Sequence, residues 1–85
     1  MRLVKIYSQT CGPCKALEKI LNNTNIEHEN VDIDSQEGEK MIEKYGIRAV
    51  PTLLLLDEEG KMLNKHVGVL NVEDLKKFAN NESGY

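Results

Sequence analysis

Two cysteines two residues apart, in Thr10-Cys11-Gly12-Pro13-Cys14-Lys15, sit between a run with strand character and a run with helical spacing. That junction restricts the fold more than any other stretch. Upstream, Leu3-Val4-Lys5-Ile6-Tyr7 is apolar and β-branched; downstream, Ala16, Leu17, Ile20 and Leu21 recur at the period of an amphipathic helix. Pro13 suits a first helical turn, where a missing N–H is no loss and φ is already near the helical value. Cys11 is then expected at the helix N-terminus, where free backbone N–H groups and the positive end of the macrodipole favour a thiolate. A free cysteine titrates near ~8.5, so a drop of one or two units would leave Cys11 substantially anionic at neutral pH. Cys14, one turn further in, is expected to face the core and to act second.

The chain has 85 residues, enough for one domain spanning 1–85, with 81–85 expected to fray. A chain of this size hides only about two-thirds of its extended surface, so a thin core and short loops are expected. Net charge is −3 with both signs interspersed, which leaves no footprint for nucleic acid or an anionic membrane surface. No apolar run approaches the roughly 20 residues of a membrane-spanning helix. The first residues run straight into the first strand, so no signal peptide is expected and the expected compartment is the cytoplasm. In that compartment a Cys-x-x-Cys pair points to catalysis or metal binding rather than to a structural crosslink.

In chain order, residues 2–7 read as a strand, 13 to about 21 as a helix, and Asn22-Asn23-Thr24-Asn25 as the turn that ends it. Ile26 to Asp32 reads as a polar strand at a sheet edge. Asp34-Ser35-Gln36-Glu37 offers an N-cap with an acid three residues on, Met41, Ile42 and Tyr45 an apolar face, and Gly46 a stop. Thr52-Leu53-Leu54-Leu55-Leu56 fits a strand covered on both faces, and Asp57-Glu58-Glu59-Gly60 a turn into a returning strand, Lys61 to Val67. Asn71 caps a last helix with Leu70 placed to staple against Leu75. The order βαβαββα implies an α/β fold with a four-stranded mixed sheet, helices on both faces and the cysteine-bearing strand in the middle. The first three strands are expected to be parallel and the fourth antiparallel. The C-terminal end of the central strand is where an open α/β sheet tends to place its site.

With these pieces in order, the chain resembles the thioredoxin family over nearly its whole length. Cys-Gly-Pro-Cys at 11–14 is similar to that family's active-site tetrapeptide, and Val50-Pro51-Thr52 to its cis-proline loop. Asp57 to Lys61 is similar to its hairpin, and Gly68-Val69 before a capped helix to its last groove-forming loop. The resemblance implies a thioredoxin-like fold and a thiol-disulfide oxidoreductase, most simply a protein disulfide reductant. Cys11 would attack a substrate disulfide and Cys14 would resolve the mixed disulfide, with Gly12 and Pro13 shaping the turn and Tyr7 packing beside it. Val50, a cis Pro51, Thr52 and Gly68 would form the substrate groove. It further implies no cofactor beyond the Cys11–Cys14 disulfide, no metal, and a monomer. Its partners would be disulfide-containing proteins and a thioredoxin-reductase-like enzyme using NADPH or another reductant.

Departures from the family pattern sharpen the reading. The chain begins at the cysteine-bearing strand, without the strand and helix that precede it in full-length thioredoxins, and is close in size to glutaredoxins. Thr10 stands where a tryptophan is usual, and Lys5 where a buried aspartate is usual. An ammonium cannot act as a carboxylate base, but, if buried, it lowers the resolving thiol's pKa by charge. The competing expectation is that Lys5 snorkels to the surface. A zinc site would need His28 and His66 beside the cysteines, at no familiar spacing; both read as solvated strand residues. The alternative functions are a glutaredoxin-like glutathione-dependent reductant, a dedicated electron donor to one enzyme such as ribonucleotide reductase, and a non-catalytic binding module.

Overall fold

Alternation along the first strand sets the layers. β1 (Arg2–Tyr7) sends Leu3 to one face of the sheet and Val4 and Ile6 to the other. On the Leu3 face, α1 (Gly12–Asn23) and α3 (Val72–Ala79) contribute Leu17, Leu21, Leu75 and Phe78. On the opposite face, α2 (Gln36–Tyr45) contributes Met41, Ile42 and Tyr45. The remaining strands are β2 (Glu29–Asp32), β3 (Thr52–Leu56) and β4 (Met62–Val67), and the sheet order is β2-β1-β3-β4. This computed structural model describes residues 1–81, so the expected frayed tail lies, beyond Asn81, outside the described residues.

The expected βαβαββα order and the helices on both faces are both found, with β1 central and β2 at an edge. The unbroken apolar run of β3 has its reason in the layering. Leu53 and Leu55 join the cluster under α1 and α3, while Leu54 and Leu56 join the cluster under α2, and all four are at most 1% exposed.

Strand direction departs from expectation. β1 and β2 are parallel, but β3 is antiparallel to β1, pairing Ile6 with Thr52 and Arg2 with Leu56. The handedness rule applies to crossovers that join parallel strands; it does not require the strand after a helix to be parallel. Here Gly46 ends α2 in the left-handed region (φ 67°), which turns the chain. Residues 47–51 then carry it to the end of the sheet where β1 finishes, so β3 starts there and runs back. β4 returns antiparallel to β3, as expected for a hairpin.

Element starts shift by small amounts for identifiable reasons. α2 is capped by Ser35 rather than Asp34: the Ser35 hydroxyl donates to Asp32 O (2.6 Å) and accepts from the Gly38 N–H (3.0 Å). β2 begins at Glu29 rather than Ile26, because the Ile26 N–H is tied to Leu21 O of α1 (3.3 Å) and its side chain packs with the α1 cluster. Asn71 caps α3 as expected, its side chain accepting from the Asp74 N–H (2.8 Å). Gly38 lets α2 sit directly on the end of β2. A Cβ there would press on the Asp32 carbonyl oxygen and stand 2.9 Å from the Ile33 carbonyl carbon, both main-chain atoms that cannot swing aside. Gly38→Ala is therefore expected to destabilise the fold by about 1–3 kcal/mol, as other overpacking substitutions do, despite alanine's better helix propensity. Urea unfolding of the two proteins checks this; equal midpoints would refute the close approach.

Candidate active site

Beyond Tyr7 the chain leaves the sheet through a short turn in which the Cys11 N–H donates to Ser8 O (3.2 Å). Gln9 Nε2 ties the turn to Asp32 Oδ2 (3.0 Å) at the end of β2. Cys11 is the N-cap of α1, with Pro13 in the first turn, as the sequence implies. Its Sγ accepts a hydrogen bond from the Cys14 N–H at 3.1 Å, the place an oxygen side chain usually occupies at a helix start. The two sulfurs are joined in a disulfide, with the Cα atoms 5.3 Å apart. Cys11 is half-buried, whereas Cys14 is 3% exposed and faces the core. Gly12 is exposed, and nothing lies within 4 Å of where its Cβ would be.

The loop after α2 reaches the same end of the sheet. Thr52 pairs with Ile6, which sets Pro51 level with Tyr7, where β1 gives way to the cysteine turn. The Val50–Pro51 peptide is cis. Pro51 O accepts from the Gly68 N–H (2.9 Å), and Gly68 adopts φ 100°, a conformation that favours glycine. Val50, Pro51 and Gly68 are thereby brought together, flanked by the exposed Val67 and Val69. Thr52 is fully buried and its hydroxyl donates to Ala49 O (2.6 Å), so its side chain supports the loop from inside.

Lys5 is buried rather than snorkelled: its side chain is 4% exposed and its ammonium is paired with the Glu18 carboxylate of α1. The ammonium also lies 5.3 Å from the centre of the Tyr7 ring. His28 is likewise not the solvated residue expected. Its side chain is 8% exposed, with Nε2 3.0 Å from Glu18 Oε1 and Nδ1 2.9 Å from Ile26 O. Lys5, Glu18 and His28 thus form one cluster that the motif reading did not assemble. A signal for it exists: Lys5 interrupts an apolar strand, and Glu18 falls four residues after Cys14, on the same helix face. Burial by itself raises the Glu18 carboxyl, but the hydrogen bonds from Lys5 and His28 outweigh it and hold the group below the usual carboxylate range.

His66 is elsewhere, its ring edge-on to Phe78 with centroids 6.4 Å apart. Among the described residues, no three His, Cys, Asp or Glu side chains converge in a way that could hold a metal ion.

Comparison with known proteins gives a consistent picture. A family model described as Thioredoxin matches residues 1–81. The SPbeta prophage-derived thioredoxin-like protein YosR of Bacillus subtilis (strain 168) is 38% identical over 68 residues, covering 80% of this chain and 82% of that protein. A thioredoxin of the same organism is 32% identical over 82 residues, covering 92% of this chain and 78% of the relative. Among solved structures, a mutant thioredoxin from Halobacterium salinarum NRC-1 superposes with a TM-score of 0.78 at 28% identity, covering 98% of this chain and 74% of that one.

The Glu18 shift carries a pH signature. A carboxyl that titrates lower when folded gives its full stabilisation above the unfolded value of 4.5 and loses it as pH falls through the folded one. The stability difference between the wild type and Glu18→Gln is therefore expected to shrink from about pH 5 downward. Urea unfolding at a series of pH values checks this; a difference independent of pH would mean that Lys5 and His28 do nothing for the carboxylate.

Proposed function

The chain belongs to the thioredoxin family of thiol-disulfide oxidoreductases, and we propose that within it this protein is a reductant of protein disulfides. The observation that carries the proposal is the asymmetry of the sulfur pair. Cys11 Sγ lies at the mouth of α1, taking the Cys14 N–H, while Cys14 is covered. In the reduced protein the first-turn amides and the helix dipole favour the Cys11 thiolate. That thiolate attacks a substrate disulfide, one substrate sulfur leaves as a thiolate, and a mixed disulfide through Cys11 remains. Cys14 then attacks Cys11 Sγ, the second substrate sulfur leaves, and the Cys11–Cys14 bond is restored.

An apolar rim supports a polypeptide substrate. Val67 and Val69, 53% and 43% exposed, flank Gly68, and Val50 precedes the cis Pro51 beside it. An extended substrate segment laid on this rim would meet backbone on the Gly68 side with no side chain in the way. We place the protein in the cytoplasm as a monomer, re-reduced by a thioredoxin-reductase-like enzyme that draws on NADPH or a comparable reductant. One observation favours glutathione mixed disulfides as a second substrate class: Arg48 and Lys65 border a groove of about 380 Å³ that reaches Thr52 and Val67, suited to the carboxylates of glutathione.

Reduction of insulin compared with that of a glutathionylated peptide separates the two substrate classes. The proposal expects faster insulin reduction, and preference for the peptide would reverse it. Cys11→Ser is expected to abolish turnover, and Cys14→Ser to halt after one attack with the substrate covalently held on Cys11. Mass spectrometry of the arrested species checks the order; attachment through Cys14 in the Cys11→Ser protein at a comparable rate would refute it.

A further inference from the structure

Lys5, Glu18 and His28 form a cluster of three ionisable side chains at the site that the two-cysteine cycle does not itself use. A buried ion pair is weak support for stability, since well-packed apolar side chains in its place are often as good or better. Its presence beside a reactive thiol therefore calls for a role. Cys14 and Glu18 are four residues apart and share one face of α1, so the residue that pairs with Lys5 stands one helical turn from the one that carries the buried sulfur. A cleft of about 410 Å³ connects them: Lys5, Tyr7, Cys14, Lys15 and Glu18 all line it. With substrate covering the Cys11 side, this cleft is the way for the Cys14 proton to reach water.

We propose that Lys5 is the electrostatic support of the resolving thiol, its ammonium stabilising the Cys14 thiolate that attacks the mixed disulfide, while the Glu18 carboxylate, backed by His28, offsets the burial of that ammonium and partly counters its pull on the sulfur. This rests on the reductant reading and specifies its second step. The Cys14 proton leaves to water in the cleft, Cys14 Sγ bonds to Cys11 Sγ, the bond from Cys11 to the substrate sulfur breaks, and that sulfur departs with the electron pair.

Glu18 is the obvious rival as the active group, taking the proton itself. Two features count against it. The carboxylate is already engaged by Lys5 on one side and His28 on the other, and although burial raises it, those bonds leave it below the usual carboxylate range, the wrong direction for a group that is to take a thiol's proton. The charged and titratable groups facing Cys14 are then Lys5 and Tyr7 from β1 and Lys15 and Glu18 from α1, with His28 behind Glu18. Lys15 is exposed and screened by solvent, so Lys5 is the buried cation lining the cleft with Cys14, and its charge favours a thiolate there.

Single-turnover reaction of the reduced protein with dithionitrobenzoate reads the step directly, because the second release of thionitrobenzoate is the attack of Cys14 on Cys11. A 13C-labelled cysteine NMR titration reports the Cys14 ionisation alongside it. Lys5→Met is expected to slow the second release about tenfold at pH 7 and to move the Cys14 titration upward, because an anionic Glu18 is left facing the sulfur. Lys5→Met with Glu18→Gln removes both charges and is expected to recover part of the loss, and it keeps the test open if the single variant folds poorly. Glu18→Gln alone is expected not to slow the second release. Slowing by Glu18→Gln as large as that of Lys5→Met would make the carboxylate the proton acceptor and overturn the proposal, as would an unchanged Cys14 titration in Lys5→Met. Insulin reduction by the wild type is measured separately, so loss of this inference leaves the reductant reading standing, and failure to reduce insulin removes that reading on its own.

Discussion

β1 is hydrogen-bonded on both sides, to β2 along Val4–Tyr7 and to β3 along Arg2–Ile6, and the reactive end rests on this double pairing. A strand fixed from both sides cannot shift its register without turning its apolar residues out of both clusters at once. Its last carbonyl, on Tyr7, is also held, accepting from the Ile33 N–H at 2.8 Å. The turn that follows therefore starts from a fixed point, and so does α1. Cys11 is delivered to the helix start and Cys14 to its inner face by the sheet, with few degrees of freedom left for the sulfurs themselves.

Much of this was legible in residues whose physics is local. Pro13 placed the first turn of α1, Gly46 closed α2 with a positive φ, Asn71 capped α3, and four successive leucines declared a strand buried on both faces. The direction of β3 was not legible, because it depends on where the 47–51 segment goes, and that is decided by what α2 packs against. Lys5 stood out because the family the chain resembles carries a buried aspartate at that place, yet its partners did not. Glu18 reads as one more charged residue on a surface helix and His28 as polar and solvated until the fold places both beside the ammonium. Pairwise chemistry between distant segments is invisible to periodicity, whereas caps, turns and buried runs are written in neighbouring residues.

The Lys5 cluster also shows how a small core accommodates charge. A lone ammonium under α1 would leave its hydration uncompensated, a cost of several kcal/mol. Here the carboxylate meets it from the helix and the imidazole meets the carboxylate from the segment entering β2, so three separate pieces of chain converge on one half-buried site. Among the described residues no buried side-chain nitrogen or oxygen lacks a hydrogen-bond partner, which is the condition for such a cluster to be tolerated.

The sheet separates two kinds of work. Cys14, Lys5 and Glu18 belong to the α1 side, while Val50 packs with Ile47 and α2 on the other. The main chain of four strands stands between them as a partition. With the substrate groove proposed at Val50, Pro51 and Gly68 and the role proposed for Lys5, changes in α2 or in the loop it feeds would alter which partners are accepted while the electrochemical setting of the sulfur pair is left alone, and changes under α1 would retune that setting without redrawing the docking edge. A lineage built on this plan is free to diversify its clients and its driving force along independent axes.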